Sequence, residues 1–155
     1  MAFISVSGTG SAIPTAVSAS LLALMLAAAS PPPAQVEIQV QGLRNAQGLL
    51  RLCLTRDPAH FPDCEGDPTA LKRSVGAAQA GSIRLGGVAQ GTYALAVIHD
   101  ENSNGRLDKF MGIPREGFGF SRNPRIRFGP PRFDEVRFDV AAGNVRQVVR
   151  MNYLL

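Results

Sequence analysis

Gln90-Gly91-Thr92-Tyr93-Ala94-Leu95-Ala96-Val97-Ile98-His99 is apolar on both of its alternating faces. A strand with one wet face alternates apolar and polar residues, whereas one covered on both sides reads as a near-continuous apolar run. The stretch is therefore a central strand of a sheet covered on both faces. Upstream, Ser82-Ile83-Arg84-Leu85 is a strand that ends at Gly86-Gly87. Further back, Val36-Glu37-Ile38-Gln39-Val40 alternates and is half-buried. After a turn at residues 45–48 comes Leu49-Leu50-Arg51-Leu52-Cys53-Leu54, expected to be its hairpin partner. Downstream, Glu135-Val136-Arg137-Phe138-Asp139-Val140 alternates, Gly143-Asn144 turns, and residues 145–154 form the last strand. Residues 55–81 read as loop with a short helical turn near residues 70–75, and residues 109–133, rich in Gly, Pro and Phe, as a long ordered loop. Short strands without a long helix predict an all-β fold: a single antiparallel β-sandwich of about seven strands.

Residues 16–29, AVSASLLALMLAAA, end in small residues, and Ala27-Ala28-Ala29 fits an A-x-A cleavage site. The run falls short of the roughly 20 apolar residues of a membrane span. Residues 1–29 are expected to be a signal peptide, residues 30–35 a proline spacer, and residues 36–155 the domain. Residues 1–20 lack Lys and Arg, so the basic start of such a signal is missing. The alternative is a helix retained as an N-terminal membrane anchor. Cleavage at Ser30 would place the mature protein in the periplasm or outside the cell.

The chain carries 16 Lys+Arg against 12 Asp+Glu, a net charge of +4. So mild a surplus on an exported protein gives no nucleic-acid footprint. Arginine dominates over lysine, which favours planar contacts with carboxylates and phosphates. In an oxidising compartment Cys53 and Cys64 are expected to be bridged, closing a short loop for roughly 2–3 kcal/mol. His60 lies between them, but the set matches no zinc pattern.

The chemistry is concentrated in His99-Asp100-Glu101-Asn102-Ser103-Asn104-Gly105-Arg106-Leu107-Asp108. Asp100, Asn102, Asn104 and Asp108 occupy positions 1, 3, 5 and 9 of a calcium-type loop, with Gly105 at position 6 and the Arg106 carbonyl at position 7. Position 12 is Met111 instead of a bidentate Glu, and the loop follows a strand, so it is no EF-hand. Glu101 or Glu116 would complete the shell. Two carboxylates predict weak Ca²⁺ binding, with Kd on the order of 10⁻⁴ to 10⁻³ M. Asp, Asn and Gly are equally what a tight loop needs for Asx-turns.

His99 reads as a turn-holding residue that bonds to loop backbone, or as a general base. Glu116, in a glycine-rich segment, reads as a lock on backbone N–H groups, or as one half of an acid/base pair with Asp100. Arg122, Arg125, Arg127 and Arg132 interleave with Phe120, Phe128 and Phe133. They read as a surface for an anionic envelope component, a polysaccharide or a lipid headgroup, or as an exposed loop over packed aromatics. The sequence contains no nucleophile elbow, P-loop, HExxH or dinucleotide fingerprint.

Two resemblances add to this. Residues 85–97, with Gly86-Gly87 and Gly91-Thr92-Tyr93, resemble a unit of transthyretin-like and carboxypeptidase-regulatory-like sandwiches, which implies an Ig-like or transthyretin-like fold. From Val36 onward the chain resembles a bacterial exported family, domain of unknown function 2141. The residues carrying this are Gly91-Thr92-Tyr93-Ala94, His99-Asp100-Glu101-Asn102, Asn104-Gly105, Leu107-Asp108, residues 112–121, Phe128-Gly129-Pro130-Pro131 and Phe133-Asp134. Cys53 and Cys64, with Phe61-Pro62 between them, resemble one branch. The resemblance implies a secreted or periplasmic β-sandwich and no reaction. Lys109-Phe110 stands where such sequences often continue with asparagine, which removes an oxygen ligand and adds a cation.

The resulting expectation is an exported, non-catalytic module, binding or structural, with a weak Ca²⁺ loop at residues 100–108. The alternatives are a metal-assisted hydrolase using His99, Asp100 and Glu116, and an envelope-interaction module using residues 120–133. A hydrolase requires the first three side chains to converge in an open pocket. A module requires His99 and Glu116 to be consumed by backbone hydrogen bonds.

Overall fold

The computed structural model describes Gly8 and residues 32–155. The expected signal segment and its cleavage site, Gly8 apart, lie outside the described residues. The elements run β1 (Ala34–Gln41), β2 (Leu49–Thr55), a 3-10 turn at Pro58–His60, β3 (Leu71–Gly76), a second such turn at Ala77–Gln79, β4 (Ile83–Val88) and β5 (Gly91–Asp100). There follow β6 (Lys109–Phe110), β7 (Ile113–Pro114), β8 (Gly117–Phe120), the one-turn helix α1 (Phe133–Val136), β9 (Phe138–Val140) and β10 (Asn144–Arg150). The fold is an all-β sandwich.

One sheet is ordered β10-β1-β4; the other is ordered β3-β2-β5-β8, with β9 also on β5. β5 is central, as its apolar run predicts. β2 lies along one edge; β9 pairs with residues 91–93 and β8 with residues 96–99 of the other edge. Tyr93, Leu95 and Val97 enter the main core with Val36, Ile38, Leu50, Leu52, Leu54, Leu85 and Val149. Ala94 and Ala96, on the opposite face, enter a second cluster with Cys53, Cys64, Phe118, Phe120 and Val136. Small residues at 94 and 96 make room for the phenylalanines. Each fully buried Leu or Val in these clusters contributes roughly 1.5–3 kcal/mol.

Six expectations change. β1 and β2 are not a hairpin: β1 lies between β10 and β4, and β2 belongs to the other sheet. The β1–β10 pair is parallel, so the sandwich is not wholly antiparallel. Residues 71–76, within the expected loop, form edge strand β3 along β2, and residues 117–120 form β8. Glu135-Val136 lies in the helical turn, so the strand there spans Phe138–Val140 alone, and β10 stops at Arg150.

Cys53 on β2 and Cys64 in the following loop have Cα atoms 5.8 Å apart and are bonded. That loop has a second tie. Buried Asp67 accepts from the Thr55 hydroxyl at 2.5 Å and from the Thr69 hydroxyl and N–H at 2.7 and 2.8 Å. These bonds, the Thr55 bond foremost, lower the Asp67 pKa to about 2.

Candidate functional site

β5 ends in His99 and Asp100, both fully buried. His99 lies two residues beyond Val97, so the strand's alternation aims it at the end of the main core. Its Nε2 is 2.7 Å from the Gln47 carbonyl and its Nδ1 2.7 Å from the Tyr153 hydroxyl. A carbonyl only accepts, so Nε2 carries the proton and donates. In the neutral ring Nδ1 accepts from Tyr153 Oη, which in turn accepts the Arg44 backbone N–H at 3.3 Å. Both ring nitrogens are therefore consumed. Burial raises the Tyr153 pKa, which keeps its hydroxyl a donor.

Arg44 stacks over the Tyr153 ring at 4.7 Å and grips Glu101 with Nε at 2.7 Å and Nη2 at 2.6 Å. Its remaining donors reach the carbonyls of Leu155 and Arg115 at 2.7 and 2.9 Å. This forked pairing, then the Asn45 amide, holds the Glu101 pKa below the usual carboxylate range.

Residues 100–108 fold around Asp100. Its Oδ1 accepts the Asn104 N–H at 3.0 Å and its Oδ2 the Gly105 N–H at 2.8 Å, with Arg51 Nη1 3.8 Å from Oδ2. Gly105 takes φ +88°, a left-handed conformation that suits glycine. Two Asx-turns continue the loop: Asn102 Oδ1 accepts from Asn104 N–H at 3.0 Å, and Asn104 Oδ1 from Arg106 N–H at 2.9 Å. The amide nitrogens of Asn102 and Asn104 donate to the two oxygens of Asp108 at 2.7 and 2.9 Å. These bonds, the one from Asn104 first, lower the Asp108 pKa.

Glu116 closes the loop from outside. Nearly buried, it accepts the Glu101 N–H on Oε1 and the Asp108 N–H on Oε2, both at 3.0 Å. It thus bridges the two ends of the loop.

The structure brings Asp100, Asn102, Asn104 and Asp108 into one loop, with Glu116 clamping it. No hydrogen bond joins His99 to Glu116: the first is bonded to Gln47 and Tyr153, the second to Glu101 and Asp108. Among the described residues, no buried side-chain nitrogen or oxygen lacks a partner, and no group of three or more His, Cys, Asp and Glu is placed to hold a metal ion. Sequence reasoning missed Arg44, Asn45, Gln47 and Tyr153. Their partners lie more than 50 positions away along the chain, so no local pattern marks them. Asp67 and Thr69 were missed as well, although an Asx-turn joins residues only two apart.

The arginine-rich segment divides. Phe120 is buried, and Phe61 packs against it and Phe133, with centroids 5.8 and 6.2 Å apart; Phe128 is wholly exposed. Arg122 donates to the Arg137 carbonyl at 3.3 Å. Asn123 pins the segment to β10, donating to the Val148 carbonyl at 2.8 Å and accepting from the Arg150 N–H at 2.7 Å. Residues 123–127 thereby form one wall of a shallow groove, and Arg150 and Asn152 the other. The guanidinium groups of Arg125, Arg127 and Arg150 make no ion pair or hydrogen bond among the described residues.

No curated protein and no solved structure matches the chain. A family profile described as "Uncharacterized protein conserved in bacteria (DUF2141)" matches residues 38–148. That span runs from within β1 to within β10 and takes in the loop, its Glu116 clamp and the Arg125 and Arg127 wall of the groove, with Arg150 and Asn152 beyond it, and the chain belongs to this family.

Proposed function

We propose that this protein is an exported, non-catalytic binding module whose ligand is an anionic component of the cell envelope. The observation that carries this reading is the groove of Arg125, Arg127 and Arg150, three exposed guanidinium groups with no intramolecular partner. Carboxylate and phosphate groups match the planar fork of arginine. The non-catalytic part rests on His99 and Glu116, whose polar atoms are spent on Gln47, Tyr153, Glu101 and Asp108. The Cys53–Cys64 bond fits an oxidising compartment, and N-terminal sequencing of the exported protein should return Ser30 or a residue of the proline spacer.

The test is titration with alginate oligomers, with neutral dextran as control. Alginate should bind, weaken steeply with added salt, and lose at least tenfold in affinity in Arg125→Ser/Arg127→Ser/Arg150→Ser. Binding unaffected by the triple substitution, or equal binding of dextran, would refute the reading.

A second reading concerns the loop at residues 100–108. Its four side chains already surround one turn, and rotating the Asn102 and Asn104 amides would exchange their donors near Asp108 for oxygens. We propose weak Ca²⁺ binding there, through Asp100, Asn102, Asn104, the Arg106 carbonyl and Asp108. At 100 Kd the ion would stabilise the fold by about 2.7 kcal/mol. The same melting temperature in millimolar Ca²⁺ and in chelator would remove calcium from the account.

A further inference from the structure

The β6–β7 hairpin is not used by any of the sites above. It has two cross-strand pairs, Lys109 with Pro114 and Phe110 with Ile113. Met111 and Gly112 between them take φ +49° and +83°. Two left-handed residues make a type I′ turn, for which Asn-Gly is the favoured pair. Methionine gains nothing there from the backbone, because its side chain must tolerate a conformation that asparagine or glycine adopts more readily. It gains nothing from packing either, being 87 % exposed, with Phe110 57 % and Ile113 44 % exposed beside it. A large apolar side chain held in a strained turn and pointed at solvent needs an explanation outside the fold.

We propose that this hairpin is a lipid-contact finger, which seats Phe110, Met111 and Ile113 in the surface of a bilayer bearing anionic headgroups. The shape is convex, so its complement is a surface that deforms around it. The charge at its base is complementary to such a surface. Arg106, Lys109 and Arg115 are exposed there, and no side-chain partner holds any of them among the described residues. Asp108 is the acidic group that Arg106 and Arg115 face, and its two oxygens are already capped by the Asn102 and Asn104 amides. Two residues of extended chain reach roughly 7 Å. Interfacial segments bury about 5–10 Å, to the boundary of headgroup and acyl chain, so the apolar tip would reach that boundary with the cations level with the phosphates. The stalk is fixed as well: the Arg115 N–H donates to the Asp108 carbonyl at 2.8 Å, and Glu116 holds Asp108 in place.

The experiment is co-sedimentation of the mature protein with vesicles of phosphatidylcholine alone and with 30 mol % phosphatidylglycerol. The wild type should partition onto the anionic vesicles at least tenfold more strongly, and less so in high salt. Met111→Asn should lose most of this partitioning while its melting temperature holds or rises, since asparagine suits the turn. Phe110→Ser should lose it too. Arg125→Ser/Arg127→Ser/Arg150→Ser should keep it, which separates the finger from the groove. The proposal is overturned if the wild type ignores anionic vesicles, or if Met111→Asn partitions like the wild type. It is also overturned if the arginine variant is the one that loses binding. A dimer in solution that Phe110→Ser dissociates would assign the finger to a second copy of the chain instead.

Discussion

Glu116→Gln separates a structural clamp from a catalytic acid. Glu116 accepts two backbone N–H groups, those of Glu101 and Asp108, each at 3.0 Å. Glutamine keeps the shape and one acceptor. Its NH₂ must then face the other N–H at the same distance, donor against donor. A buried donor left without a partner costs about 1–3 kcal/mol, so the substitution should destabilise by ~2 kcal/mol. Unfolding entropy of about 2.1 cal/mol/K per residue gives roughly 0.25 kcal/mol/K for ~120 residues, so the melting temperature should fall by roughly 8 °C. Glu116→Ala abandons both N–H groups and should fall further. Hydrogen exchange supplies a local readout, with the amides of Glu101, Asn104, Gly105 and Asp108 losing protection first. A carboxylate kept for catalysis behaves differently, because function-bearing groups tend to be held at a cost to stability. An unchanged or raised melting temperature in Glu116→Gln would therefore refute the clamp.

Removing the disulfide with Cys53→Ser/Cys64→Ser should destabilise by roughly 2–3 kcal/mol, and two free thiols in protein purified without reductant, by mass spectrometry, would contradict the bond. The pKa of Asp67 is lowered in the folded state to about 2. Its stabilisation should thus be complete above its ordinary value near 3.8 and be lost as pH falls towards 2; Asp67→Asn should flatten that part of an acid-denaturation curve, and an unaltered curve would dismiss it. A Cβ at Gly117 would collide with the Tyr153 ring, whereas one at Gly76 meets nothing within 4 Å. Gly117→Ala should therefore cost more than ~3 kcal/mol and Gly76→Ala stay within about 0.5 kcal/mol, and equal melting temperatures would show that Tyr153 is not packed there.

The centre of the fold was legible because β5 carries a pattern that only a strand covered on both faces needs. β3 was hidden because Leu71-Lys72-Arg73-Ser74-Val75-Gly76 is an edge strand with mostly wet side chains. β8 was hidden by its glycines, yet Gly117-Phe118-Gly119-Phe120 does have a period of two. The phenylalanines fill the second cluster, and a Cβ at either glycine would strike Tyr153, Val149 or Arg150. The chain reads as a loop there because its neighbours require bare backbone. At the site, the Asx-turns follow from residues two apart, so the loop could be read directly. Backbone hydrogen bonds at His99 and Glu116 were among the stated alternatives, and each side chain does make them, His99 to the Gln47 carbonyl and Glu116 to the N–H groups of Glu101 and Asp108. Arg44 and Tyr153 could not be found, since the contacts that define them join residues 54 to 109 positions apart.

The parallel pairing of β1 with β10 sets Gln35 opposite Asn144 and Gln41 opposite Arg150. The first strand of the domain to be synthesised thus has as its neighbour the last. Half of its ladder is missing until residues 144–150 have emerged, and contacts of such long sequence separation are the slow ones to form. A chain threaded through an export channel from its N-terminus would stay open along β1 for the whole passage, able to cross unfolded and to close only on the far side. A product cut short before β10 would leave β1 with a bare edge, the kind of surface on which unfinished chains associate.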